Sequence, residues 1–313
     1  MNTIFFNSKM NDDERRQQIF NGQLFVFSPV KSAEAFCKWT QEFVQGYFGS
    51  LDPRTAQFEL PVEEYAGILT ELKPKFIHHP ESKKFIQAIL SELDFDLEKT
   101  HFDIPRIRTA TSDNYLTSGI AYAFHPHRDT WYSAPQCQLN WWMPVFDIES
   151  GNSMAFHPRY WNTPVKNGSH TYNYQEWNAK NRFNAGSLIK TDTRIQPKPE
   201  EPMELDPQVR VITNVGGILI FSAAQMHSTV PNDTGKTRWS IDFRTLHADD
   251  VFNRRGAHNI DSSCTGTPMK DYLNGKDLSL FSDEAYNMYL EATPITPPIT
   301  TRINQSTLAK ERS

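Results

Sequence analysis

Apolar residues along this chain follow two different periods. Over 33–48 they recur every three or four positions, at Phe36, Trp39, Phe43 and Tyr47, which predicts an amphipathic helix carrying an aromatic stripe. Helical blocks are also predicted over 62–73 and 81–93, with His78 and His79 as solvated loop histidines between them. Residues 1–20 are polar and read as a short lead-in, and 23–27 as a strand broken by Ser28-Pro29. Beyond residue 104 the period falls to two. Strands are expected over 104–108, 118–124, 136–146, 209–214 and 217–222, the last two joined as a hairpin through Val215-Gly216-Gly217. Within 136–146, Gln136, Gln138, Asn140 and Trp142 fall on one face, and Cys137, Leu139, Trp141 and Met143 on the other.

The stretch 159–210 breaks this pattern. Tyr160, Trp161, Tyr172, Tyr174, Trp177 and Phe183 sit among Asn, Gly and Lys, ahead of Pro197, Pro199, Pro202 and Pro207. A long irregular insertion between strands is usually functional, and its aromatic content argues against disorder. We read 159–208 as a partly helical lid, with a dimer-contact arm as the competing reading. Residues 271–290 read as helical with a break near Gly275, and the Thr- and Pro-rich tail after Pro294 as mobile. The expected organisation is one domain over 1–313. N-terminal helices occupy about 30–95, a β core about 104–247, and a C-terminal helical region and tail 248–313.

Composition narrows the functional classes. A net charge of −5 over 313 residues provides no basic field for nucleic acid. No leader-like basic-then-apolar segment appears, and no apolar run approaches membrane-spanning length. Cys37, Cys137 and Cys264 are an odd number with wide spacing, as expected of reduced thiols in a cytoplasmic protein. A monomer or homodimer acting on a small molecule, without nucleic-acid or membrane partners, is the expectation.

The candidate chemistry lies in His125-Pro-His127-Arg-Asp129 and in 227–240. On an extended strand His127 and Asp129 share a face and can chelate one ion, whereas His125 and Asp129 would be about 13 Å apart at roughly 3.3 Å per residue. A dinuclear hydrolase of the HxHxDH type needs a further His where Thr130 stands. Taken alone, a His and an Asp two apart describe a polar strand face equally well. The second stretch changes the balance. Asn232–Gly235 is turn chemistry; a hairpin closed there would set His227 opposite Ser240 and Thr229 opposite Arg238, on one face. Two histidines and a carboxylate form a facial set for non-haem iron, and an arginine nearby suits a carboxylate.

With His127, Asp129, His227 and Arg238 in this order, the sequence resembles Fe(II)/2-oxoglutarate-dependent dioxygenases of the phytanoyl-CoA dioxygenase-like group. The resemblance spans roughly 21–246 and includes Tyr132, Gln138-Leu-Asn-Trp-Trp-Met-Pro144 and Phe146-Asp-Ile-Glu-Ser-Gly-Asn-Ser-Met-Ala-Phe-His-Pro158. It departs at His157-Pro158-Arg159, where the family usually has Pro-Gly-Ser-His. The resemblance implies a double-stranded β-helix, or jelly roll: mainly β with flanking helices. It implies iron on His127, Asp129 and His227, 2-oxoglutarate held by Arg238 and Ser240 and lined by Asn140 and Trp142, and O2 as the oxidant. Gln138 is a candidate for supporting the metal or touching substrate.

Asp242 and Arg244 are expected to neutralise one another, Arg106 and Arg108 to lie on a solvated edge, and His247 and His258 to be bystanders. Because Asp129 retains the carboxylate that halogenating relatives lack, hydroxylation of a small polar metabolite, with a carboxylate as one option, is the default activity. Secondary metabolism is the implied setting. Desaturation or oxidative cyclisation would use the same residues. A ligand-sensing jelly roll is the alternative of another class, and a cupin-type hydrolase or isomerase would not need Arg238.

Overall fold

The computed structural model describes residues 3–121, 125–181, 188, 191–194 and 196–296. The chain opens with β1 (Ile4–Phe6), α1 (Asp12–Phe20), β2 (Leu24–Phe27) and the helices α2 (Lys31–Phe48), α3 (Val62–His78) and α4 (Pro80–Glu92). Strands β3 (Thr100–Asp103), β4 (Arg106–Ala110), β5 (Leu139–Pro144) and β6 (Met154–Phe156) follow, then α5 (Tyr174–Asn181). The remainder is β7 (Val209–Arg210), β8 (Ile218–Ser222), β9 (His227–Thr229), β10 (Arg238–His247), α6 (Ala248–Phe252), β11 (Tyr272–Asn274) and α7 (Asp283–Met288).

These strands form a large sheet in the order β1-β2-β8-β5-β10-β3-β11, with β4 also paired to β10, and a small sheet β7-β6-β9. The expected jelly roll with flanking helices is what forms, although among the described residues the strands do not close into a barrel. Period two sorts the large sheet into two faces. Trp141, Met143, Ile220, Trp239, Ile241 and Phe243 point outward and join Phe36, Leu69, Phe76 and Ile86 of the helices in one buried core. Trp142, Leu219 and Phe221 point inward against Met154 and Phe156 of the small sheet. The aromatic stripe of α2 packs as its spacing indicated, with Phe36 stacked on Phe76 and Phe85.

Several expectations change. Residues 1–20 are not a loose lead-in: β1 extends the large sheet in parallel with β2, and Asn11 caps α1. Within the strand expected over 118–124, Gly119–Ala121 is a 3-10 turn, and 122–124 lie outside the described residues. No hairpin runs through Gly216. β7 pairs with β6, whereas β8 pairs with β2 and β5. Gly216 (φ +83°) instead lets the chain approach α2, where a Cβ would lie 2.5 Å from Cγ of Glu34.

His79 is not a solvated loop residue, since its ring caps α4 and packs on Trp39. The region 271–290 is only partly helical, because Tyr272 and Asn274 are buried on an edge strand against β3. The insertion contains α5 and 3-10 turns at Pro158–Trp161 and Gly168–Thr171. Phe183 and the tail from residue 297 lie outside the described residues.

One buried ion pair ties these parts together. Arg128 donates from Nε to Asp261 Oδ2 (3.0 Å), from Nη1 to Ala224 O (2.6 Å), and from Nη2 to Tyr160 O and Thr163 O. Asp261 also accepts from Trp131 Nε1 (2.8 Å) and Val165 N (3.1 Å). Truncating one partner of a buried pair strands the other charge, at a cost of about 3–5 kcal/mol. Arg128→Ala should lower unfolding stability by about that amount in urea titration, and Asp261→Asn should destabilise as well, because it leaves the Arg128 charge unpaired and turns an amide N–H toward another donor.

Candidate metal centre

His127 and His227 face one another across a short antiparallel bridge, each N–H donating to the other's carbonyl at 3.0 Å. His227 begins β9, which pairs with β6 so that His227 lies beside Phe156. Asp129 is not on the extended segment that the sequence suggested. It opens a 3-10 turn, Asp129–Tyr132, which swings its carboxylate back to the histidines. His127 Nε2 is 3.3 Å, and His227 Nε2 3.9 Å, from Asp129 Oδ1. Potential ligand atoms of the three residues all lie within 4.8 Å of one another, so this set could hold a metal ion. His125 is not part of it: its Nε2 lies 2.7 Å from Pro197 O.

Both histidines are oriented by their own backbone. His127 Nδ1 lies 2.8 Å from His125 O and His227 Nδ1 2.9 Å from Gln225 O, in each case the carbonyl two residues back. A carbonyl only accepts, so Nδ1 carries the proton and Nε2 presents its lone pair to the centre. Burial holds His227 near pKa 3, with His127 adding to the effect. Burial would raise the pKa of Asp129, but the adjacent imidazole of His127 and the charge of Arg244 outweigh it and hold the carboxyl well below its usual range. His227 and Asp129 are therefore held in the protonation state that a metal needs.

A second layer supports Asp129. Arg244 Nε is 3.7 Å and Gln138 Nε2 3.5 Å from its Oδ2. Gln138 is itself fixed, donating to Asn140 Oδ1 (2.7 Å) and accepting from Tyr272 Oη (2.7 Å). Tyr272 escaped the sequence reading because its segment reads as helical. His157, at the departure from the family pattern, is buried with Nε2 2.9 Å from Ser228 Oγ on β9.

The hairpin that was to bring Arg238 to His227 does not exist. β10 pairs with β3, β4 and β5, and Arg238 faces Ala110. The approach is made between sheets instead. Ser153 O accepts from both Val230 N (3.2 Å) and Arg238 Nη1 (3.3 Å), which brings the guanidinium beside the chain three residues along from His227. Arg238 lies 5.8 Å from the Trp142 ring, and burial lowers its pKa to about 10. Among the described residues, its Nε and the Oγ of Ser240 are buried without a hydrogen-bond partner. Asn140 lies nearer the metal ligands, opposite Arg244 in the sheet register.

Arg106 and Arg108 also face inward rather than along a solvated edge, because Arg106 pairs in register with Asp242 and Arg108 with Ser240. Arg106 bonds Asp103, Arg108 reaches Asp242 at 3.1 Å, and Arg244 reaches Asp103 (3.0 Å) and Asp242 (3.8 Å). Burial would lower the pKa of Arg244, but the carboxylates around it raise it well above its ordinary value. Elsewhere, Arg159 is exposed and Arg194 is paired to Asp192.

His127→Ala and His227→Ala should each abolish Fe(II) binding in anaerobic calorimetry, whereas His125→Ala should retain most of it. Equal loss in the His125 variant would contradict the assignment.

No protein-family model matches the chain, and no curated protein sequence matches it. Among solved structures, EvdO2 from Micromonospora carbonacea var. aurantiaca shares 12% identity at a TM-score of 0.45, covering 76% of this chain and 92% of that one. The non-haem monooxygenase ThoJ shares 13% identity at a TM-score of 0.41, covering 95% and 92%. SnoK, a non-haem alpha-ketoglutarate-dependent carbocyclase from nogalamycin biosynthesis, shares 12% at a TM-score of 0.37, covering 80% and 92%.

Proposed function

We propose that this protein is a non-haem Fe(II)/2-oxoglutarate-dependent dioxygenase that hydroxylates an unactivated C–H bond of a small polar metabolite. The observation that carries this reading is the pairing of a His-Asp-His ligand set with two buried, unpartnered polar groups on β10, Arg238 Nε and Ser240 Oγ. A buried guanidinium with an open donor is costly unless an anion joins it. The distal carboxylate of 2-oxoglutarate is such an anion, and the separation from the histidines suits a short dicarboxylate. A ligand set of hard oxygen and imidazole donors suits iron(II).

In this reading His127, Asp129 and His227 hold the iron, and Arg238 and Ser240 hold the far carboxylate. Trp142 walls the space between them beside Leu219 and Phe221. Iron and 2-oxoglutarate together supply oxidative decarboxylation, in which 2-oxoglutarate, O2 and R–H become succinate, CO2 and R–OH. The chain's contribution is to orient and to exclude water. Gln138 and Arg244 hold Asp129 in place, and the carbonyl bonds at His127 and His227 fix the two rings. Desaturation or cyclisation would use the same residues and differ in how the substrate is posed. The acidic net charge supports a small-molecule substrate over nucleic acid, since it supplies no net basic field. Among the described residues no helix is long and apolar enough to cross a membrane.

Anaerobic titration with Fe(II) and 2-oxoglutarate should give the weak visible charge-transfer band of the chelate only when both are present. In Arg238→Ala, iron should still bind, but half-saturation should require about 100-fold more 2-oxoglutarate, in line with losing a charged hydrogen bond of about 2–3 kcal/mol. Iron binding with no band would replace an oxygenase with a metal-binding sensor or cupin.

A further inference from the structure

Beyond the strands that carry the candidate ligands, the chain sends one more side chain to the metal centre. β11 is an edge strand of the large sheet, and its pairing with β3 sets Tyr272 opposite Asp103. Arg244 donates its backbone N–H to Asp103 Oδ1 at 2.7 Å and faces Asn140 in the β10–β5 register. Tyr272, Asp103, Arg244 and Asn140 thus form one inward row across the sheet. From that row the buried Tyr272 reaches Gln138, two residues before Asn140, and its Oη donates to Gln138 Oε1 at 2.7 Å. Gln138 is only 2% exposed, so both ends of its amide require partners. Its nitrogen faces Asp129 Oδ2 at 3.5 Å and Asn140 Oδ1 at 2.7 Å. A carboxylate offers only acceptors, so the reverse orientation would set the Gln138 oxygen against Asp129. In the orientation that serves Asp129, that oxygen points away from it, and the Tyr272 hydroxyl is its donor. Burial, with Asp103 adding to it, raises the pKa of Tyr272 well above its ordinary value, so the hydroxyl keeps its proton.

We propose that Tyr272 is a positioning residue of the metal centre, acting through Gln138 to keep an amide N–H on Asp129 Oδ2. The other oxygen, Oδ1, is the one near both histidines, at 3.3 Å from His127 Nε2 and 3.9 Å from His227 Nε2. Holding Oδ2 aside leaves Oδ1 to join the two rings on a metal. This rests on the metal-centre reading. It adds to that reading a residue from outside the stretch, roughly 21–246, that resembles the dioxygenases. A tyrosine that only filled space would have no bond to a group that itself touches a ligand. Partners behind a ligand fix its orientation and thereby its affinity for the metal.

The test titrates the intact protein with Co(II), which occupies nitrogen–oxygen sites and absorbs visible light when bound. Calorimetry gives the affinity, and the optical spectrum is recorded at saturation. Failure of the unaltered protein to bind Co(II) would remove the metal centre itself. With that binding in place, Tyr272→Phe, which retains the ring, should bind Co(II) about tenfold more weakly, as expected on losing a partner behind a ligand. Gln138→Leu should weaken binding at least as much. The double variant should bind no more weakly than Gln138→Leu alone, because a residue acting only through Gln138 then has nothing left to act on. The visible spectrum of bound Co(II) should change in Tyr272→Phe, since the carboxylate is no longer held from behind. Three results would each overturn the proposal: unchanged Co(II) affinity in Tyr272→Phe, losses that multiply in the double variant, or an unchanged Co(II) spectrum. The first is what a purely structural tyrosine would give, even where urea titration shows the variant to be less stable. Were Tyr272→Phe unable to fold, unchanged affinity in Gln138→Leu would still overturn it.

Discussion

The buried guanidinium of Arg128 fixes where everything else in the site can be. It stands between two metal-ligand candidates in sequence, yet its side chain runs away from them into Asp261 and three backbone carbonyls. The turn at Asp129 is thus held from behind. Such a charge is tolerable only when every donor is met, so the segments supplying the acceptors must keep their places. Those segments are the β8–β9 connection, the start of the insertion and the region after α6. Precision at the metal site is bought by this arrangement, which explains how a 3-10 turn can position a ligand that a regular strand would otherwise present.

β10 carries the second organising constraint. Its alternation puts Trp239, Ile241 and Phe243 into the helical core, and Arg238, Ser240, Asp242 and Arg244 into the space between sheets. The apolar half supplies the burial that stabilises the fold, at roughly 25 cal/mol per Å² of apolar surface. The polar half is nearly balanced within itself, through Asp103 and Asp242 against the arginines. One strand therefore serves as both core and reagent shelf. A slip of a single residue would exchange the two roles.

Much of this was legible in the sequence, for physical reasons that differ from place to place. Period two on 136–146 placed Gln138, Asn140 and Trp142 inward, and the helical spacing of Phe36, Trp39 and Phe43 located α2, because local geometry dictates both. The pairing of His127, Asp129 and His227 was also recognised. The route by which Arg238 approaches His227 was not: Asn232–Gly235 has the composition of a tight hairpin, but β9 and β10 part company into different sheets. Turn chemistry reports that the chain reverses and not which neighbour a strand then chooses. Arg106 and Arg108 read as a solvated edge because their partners, Asp103 and Asp242, are brought together only by tertiary register. Tyr272 was hidden for a similar reason, since an edge strand of three residues leaves little periodic signal.

The Arg128 side chain meets the insertion at main-chain atoms, the carbonyls of Tyr160 and Thr163, and Asp261 is met by the Val165 N–H and the Asn167 side-chain amide. The identity of the side chains is irrelevant to the main-chain bonds. Substitutions at Thr163 and Val165 would leave these particular bonds in place, provided the chain keeps its path past Arg128.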